Sequence, residues 1–496
     1  MEITHMNRKF TLWIGALSVC ASLSAQTVEL PVCRRALKDK RFLYFTDFSR
    51  YPRAVEKLPV AVFDSGTGGF TVLEKILSID CFNNETGEEK PDGVPDFIHE
   101  DFQYLADQAN MPYGRYGAEG KEDYLRELAV KDALFTVNNF FWKDETQNKP
   151  KGRKLPAKII VIACNTATAY GLEPITQLLQ EAGDPLRVIG VVNAGVSSTL
   201  ESLPSSLNQT TVGVLATPGT ISSGVYERTL LAQAKSIRSD LALQVVNQPG
   251  YGFAEAVDEE REFVDRKLTT FSNTYRGPVL GQGDEEIHPE LLEAYRFDFS
   301  DAKAFIAYDE QHKPIRIQLN SADNYARFNL LNLLEKARRS AVRRPIQAII
   351  LGCTHYPFLQ TTLTQHLQEL RHYTDSTGNH PYASLIADDC CFIDPAQRTA
   401  YECYRTLRDQ HRLNPQQKEG RLQPFISRPS PLLPESCRDA EGNLTYAFKY
   451  GREVGTDELT TVIVPFSPRS IRQDHLDRIV RLLPLCFGKI QQAMKP

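Results

Sequence analysis

The chain has 496 residues, more than one hydrophobic core usually serves, so about three domain-sized units are expected. A hydrophobic fraction of 42% and a charged fraction of 24% provide for a sizeable core and argue against wholesale disorder. The net charge of -5 and the pI near 6.1 offer no basic field for a polyphosphate backbone, which argues against nucleic acid as a partner.

In chain order, the first element is a targeting segment. Arg8 and Lys9 precede the apolar run FTLWIGALSVCASL, which ends in small residues at Ser24 and Ala25. That layout predicts a signal peptide over 1–25, cleaved near Ala25, and an exported, periplasmic protein. A buried N-terminal helix and lipid anchoring at Cys20 are the alternatives. No other stretch approaches the ~18 apolar residues of a membrane span, so none is expected. Cleavage would leave nine thiols, an odd number without framework spacing, so at least one stays free. Adjacent Cys390 and Cys391 are poor joint ligands for a tetrahedral ion, and no metal is expected.

Four apolar runs follow, each turning into a loop of small and polar residues: VAVFDSGTGG (60–69), KIIVIACNTA (158–167), VGVLATPGTISSG (212–224) and AIILGCTHYP (348–357). They read as parallel strands buried on both faces, with helical stretches such as NYARFNLLNLLEKARRSAV (324–342) as crossovers. The expected fold class is α/β: two related lobes with mainly parallel sheets facing each other across a cleft, plus insertions and a C-terminal extension. Boundaries are set at 56–194 for lobe 1, completed by about 392–416, and at 195–391 for lobe 2, with 417–496 as the extension. Ligands of open parallel sheets bind beyond the carboxyl ends of the strands, where the loops and both strand-end cysteines would fall.

Residues 81–101 precede a strand and read as a tolerated surface loop at the opposite end of the sheet. The insertion 260–323 follows a strand end and is placed to touch the site, with AKAFIAY and PIRIQL forming a hairpin around DEQHK. Residues 417–436, rich in Pro, Ser and charge, read as a linker. In the tail, Ser470 and Gln473 have capping-box spacing before an apolar stripe of Leu476, Ile479, Val480 and Leu483, with Pro484 ending the helix.

Cys164 and Cys353 carry the candidate chemistry. A lone Cys in an apolar run is usually inert packing. Here Asn165 and Thr166 follow one, Thr354 and His355 the other, and such polar groups are not left unpaired in a strand core. Two thiols on opposite walls of a cleft could remove a proton from one face of a carbon and return one to the other.

VAVFDSGTGGFTVL, YLADQANMPYG, IACNTATA, VLATPGTISSGVY and LGCTHYP resemble, in order, the motifs of glutamate racemases of the aspartate/glutamate racemase superfamily. The resemblance covers roughly 58–259 and 324–400. It implies a cofactor-independent amino-acid racemase of the cell-wall peptidoglycan type, with an amino acid as substrate and neither pyridoxal-type cofactor nor metal; a homodimer is left open. It places the acid/base pair at Cys164 and Cys353, with Asp64 beside the first and His355 beside the second. Substrate contacts would fall on Ser65, Pro112, Tyr113, Gly114, Asn165, Thr166, Thr217, Thr220 and Thr354. Asn193, Ala194 and Gln248 depart from the family pattern, and Glu255, Asp258 and Glu259 compete for an assisting acidic role. A racemase of another amino acid, a decarboxylase or isomerase of the same superfamily, and a catalytically idle acidic amino-acid binding protein remain alternatives.

Overall fold

The computed structural model describes residues 30–183, 186–283, 285–341, 343–456, 459–471 and 473–494. The signal-peptide segment 1–25 and Cys20 lie outside the described residues. The strands are Val60–Asp64 (β1), Phe102–Ala106 (β2), Phe140–Phe141 (β3), Gly152–Arg153 (β4), Ile159–Ile162 (β5), Arg187–Gly190 (β6), Gln209–Ala216 (β7), Ala242–Pro249 (β8), Ala304–Tyr308 (β9), Pro314–Leu319 (β10), Ile346–Gly352 (β11), Ile386–Ile393 (β12), Leu422–Pro429 (β13) and Thr461–Pro465 (β14).

Two sheets organise the chain. The first has the order β14-β13-β2-β1-β5-β6 and is parallel except at β14. The second, β12-β11-β7-β8, is parallel throughout. Val60–Asp64, Ile159–Ile162 and Ile346–Gly352 are buried at every position, as strands covered on both faces must be. In each sheet a strand leading into a Gly/Ser/Thr loop pairs directly with a strand leading into a cysteine: β1 with β5, and β7 with β11. The fold class is the α/β arrangement implied by the motif pattern. The helix read at 324–342 runs over Ala322–Arg339, its N-terminus capped by Ser321.

Residues 417–436 are not a linker. Leu422–Pro429 is an inner strand between β2 and β14, so the extension continues the first sheet. Proline is tolerated because both prolines sit where a neighbour is missing: the register with β14 begins at Phe425, after Pro424, and that with β2 ends at Ile426, before Pro429.

In the tail, Leu476, Ile479 and Leu483 are buried as expected, but Val480 is 41% exposed. The capping box falls earlier, Ser470 Oγ accepting from the Ser467 amide. The helix Gln473–Leu482 stops just before Pro484, as expected, but it is not the last: Pro484 opens a further helix, Pro484–Ala493, since its missing N–H costs nothing at a helix start.

Loop 81–101 contributes nothing to the cleft described below, yet it is more than a surface loop. Phe82 and Phe97 are buried against Tyr404, and the Asp96 carboxylate accepts from the Cys81 and Phe82 amides. Only about its middle, from Glu85 to Val94, is largely exposed. The hairpin around DEQHK exists as β9–β10, but no residue of it lines the cleft; within 260–323 only Glu260 does. No disulfide forms among the described residues, and none of their helices is long and apolar enough to cross a membrane.

Candidate active site

The loops at the carboxyl ends of β1, β2, β5, β7 and β11 converge on a cleft between the two sheets, with about 410 Å³ of open volume including space that communicates with solvent. Of the residues singled out from sequence, Ser65, Pro112, Tyr113, Gly114, Cys164, Asn165, Thr166, Thr217, Cys353, Thr354 and His355 line it. Asp64 and Thr220 do not; they stand behind residues that do.

Cys164 ends the run after β5 and caps the helix Asn165–Glu181, its Sγ accepting from the Ala167 amide at 3.3 Å. Its thiol also points to Ser65 Oγ at 3.7 Å. Burial pushes the Cys164 thiol up, and negative charge on Asp64 and then on Cys353 adds to the shift. Asp64 ends β1 with one carboxylate oxygen, Oδ2, accepting from the Gly69 amide at 2.8 Å and the Gly66 amide at 3.3 Å. Burial raises its carboxyl above the usual range, although His355 and those amides oppose the rise. The first half-site is therefore a protonated thiol backed by a buried carboxyl group.

The second half-site is a three-residue relay. Cys353 Sγ lies 3.4 Å from His355 Nδ1, and His355 Nε2 lies 3.0 Å from Asp258 Oδ2. Burial disfavours the charged imidazole, but the Asp258 carboxylate and then the Cys353 sulfur beside it outweigh that and hold His355 well above its ordinary value. His355 is thus an imidazolium near neutral pH, able to exchange a proton with the sulfur beside it.

Of the three acidic candidates, Asp258 is the one that bonds to His355. Glu255 and Asp258, three positions apart, share one side of the short helix Phe253–Val257 and its cap, and both line the cleft. Glu259 has a left-handed backbone, φ 55°, and pairs instead with Arg266 and Arg478. The i, i+3 spacing was the available signal; the pairing with His355, 97 positions away, had none.

The far wall holds neutral donors. The Thr166 hydroxyl lies 2.9 Å from those of both Thr217 and Thr220, which are 3.0 Å from each other, so Thr220 orients the two lining threonines. Asn165 is held by the Tyr226 hydroxyl. Close approach of the lobes requires glycine here. A Cβ at Gly114 would lie 2.8 Å from Thr217 Cβ, and one at Gly68 would lie 2.7 Å from both His355 Cε1 and Thr354 Oγ1.

Sequence reading missed Met111, Ala254, Glu260 and Gly352 in the lining, and the part played by the extension. Lys449 Nζ donates to the Met111 carbonyl at 2.6 Å, and Arg452 donates to Asn110 Oδ1 at 2.6 Å and Tyr116 at 3.0 Å, which clamps the loop presenting Pro112, Tyr113 and Gly114. Burial and then the Glu255 charge push Glu260 up to about 8, with Lys449 opposing, so this wall carries a carboxylic acid rather than a carboxylate at neutral pH.

The chain is similar to a glutamate racemase from a Sulfurihydrogenibium species, 31% identical over 308 residues, 62% of this chain and 74% of that relative. The chain belongs to the glutamate racemase family. A glutamate racemase from Lysinibacillus sphaericus is 34% identical over 174 residues, 35% of this chain and 48% of its own, so the chain spans about half the length of that relative. A crystal structure of a glutamate racemase isoform from Bacillus anthracis is similar at 20% identity and a TM-score of 0.42, over 75% of this chain and 89% of the other. No family model matches the chain. The positions that depart from the glutamate racemase pattern lie outside the cleft lining: Asn193 is exposed, Ala194 is buried, and buried Gln248 donates to the Pro249 carbonyl at 2.8 Å.

Proposed function

We propose that the chain is a cofactor-independent amino-acid racemase acting on glutamate, with Cys164 and Cys353 as the acid/base pair. The observation that carries this reading is that one cleft is lined from opposite lobes by two thiols, each with its own proton partner. One thiolate takes the proton from the α-carbon, the electron pair is left on that carbon and its carboxylate, and the other thiol delivers a proton to the opposite face. The donors of Ser65, Asn165, Thr166, Thr217 and Thr354 suit carboxylate groups without fixing a counter-charge, and a neutral Glu260 spares an anionic substrate repulsion. Membership in the glutamate racemase family supports the same substrate, and the D-enantiomer would serve peptidoglycan assembly.

Chiral analysis of the purified chain with single L- and D-amino acids tests the reading. The expected result is interconversion of L- and D-glutamate from either side. Turnover of a different amino acid would move the substrate assignment, and tight binding without turnover would make the chain a binding protein.

We also propose export through the segment 1–25, supported by the Arg8–Lys9 flank and the small residues before Gln26. N-terminal sequencing of the chain from its native host should begin near Gln26. An intact Met1 in the cytosolic fraction would overturn this.

A further inference from the structure

We propose that Arg478, in the C-terminal extension, is a positioning residue for the second half-site: it holds the Asp258 carboxylate that orients His355 against Cys353. The inference rests on the racemase reading for its kinetic consequence, though not for its geometry.

The helix Gln473–Leu482 is seated by Ile479 and Leu483, which join the same hydrophobic core as the first sheet. Seated there, the helix sends Arg478 across to the second lobe. Arg478 is only 12% exposed; one guanidinium nitrogen, NH1, lies 3.9 Å from Asp258 Oδ1, and the other, NH2, lies 3.4 Å from Glu259 Oε1. The left-handed backbone at Glu259 brings two successive carboxylates within reach of one guanidinium. Asp258 turns its other oxygen to His355, and His355 its other nitrogen to Cys353. A continuous chain of charged contacts thus starts in the extension and ends on the sulfur.

Fastening the extension to the second lobe would need only Glu259, which also pairs with Arg266. The second contact goes to the carboxylate that lines the cleft. The titratable groups facing His355 are Asp258, Cys353, Asp64 and Glu255, and Asp258 itself faces Glu255 as well as Arg478. Arg478 is the cation on the outer side of this acidic group. Without it, Asp258 keeps a like-charged neighbour and loses the ion-pair partner that offsets it, so its pairing with His355 loosens.

The test uses the whole chain with Arg478→Ala, Arg478→Lys and, as a control on the same helix, exposed Arg481→Ala. Arg478→Ala should lower kcat for glutamate roughly tenfold while KM stays within about twofold, because a loosened relay misplaces the acid/base group and leaves the substrate donors intact. Arg478→Lys should restore most of kcat, and Arg481→Ala should match the unaltered chain. A readout independent of turnover is alkylation by iodoacetamide, followed on the Cys353 and Cys164 peptides by mass. The ratio of the two rates should change by at least about threefold in Arg478→Ala and recover in Arg478→Lys. If Arg478→Ala does not fold, Arg478→Gln carries the same expectation. Unchanged kcat and rate ratio in a folded variant would overturn the proposal, as would a lowered melting temperature with the ratio unmoved. Should the unaltered chain fail to racemise glutamate while the ratio still shifts, the racemase reading falls and the positioning role stands.

Discussion

Changing either Cys164 or Cys353 to Ser should lower racemisation by about 10²-fold or more while substrate binding survives, since a hydroxyl is a far weaker acid than a thiol and the carboxylate donors are untouched. The two thiols line one cleft from opposite lobes, and in the proposed mechanism each serves one face of the α-carbon. A single enantiomer incubated in heavy water should therefore give product carrying deuterium at that carbon, because the protonating thiol has exchanged with solvent. The unreacted pool should stay mostly unlabelled at early times. Chiral separation with mass detection reads both quantities. Equal early labelling of both enantiomers, or near-normal turnover in Cys353→Ser, would rule out the two-thiol mechanism.

Asp258→Asn should reduce kcat by roughly 10²-fold, because an amide oxygen can still accept from Nε2–H but carries no negative charge to hold His355 as the imidazolium, and general acid/base assistance at Cys353 is lost. The same variant has a pH signature. His355 is raised in the folded chain by Asp258 and Cys353 against the cost of burial. A group raised on folding stabilises the fold fully below its unfolded value, about 6.5 for histidine, and loses that contribution as pH rises through its folded value. The melting-temperature gap between the unaltered chain and Asp258→Asn should thus be widest at mildly acid pH and narrow at alkaline pH. A gap that widens with rising pH would mean that Asp258 does not sustain the imidazolium.

Much of this arrangement was legible before any coordinates. Buried parallel strands announce themselves as unbroken β-branched runs, and a Cys with polar followers at the end of such a run is chemically out of place in a core. The apolar runs at 60, 158, 212 and 348, with their loops, were enough to expect two lobes and to place Cys164 and Cys353 at one cleft, while Ser65 and Thr217 were named by the resemblance to glutamate racemases. Local pattern also supplied the hairpin at 304–319 and the helix from Ala322.

Tertiary structure decided the rest. Leu422–Pro429 looked like a linker because proline and serine are read as loop residues, yet each proline occupies a place where one neighbouring strand is absent, a circumstance set by register. Asp258 could not be separated from Glu255 and Glu259 by spacing, since its role depends on an imidazole 97 positions away and on the backbone turn at Glu259. Arg478 had no signal at all: one arginine in an amphipathic helix reads as a solvated charge until the helix is seated on the first lobe and its polar side faces the second. Periodicity and strand-end chemistry act over a few residues and survive in the linear sequence. The pairing of charges across a cleft depends on where separate segments come to rest, and no local pattern carries it.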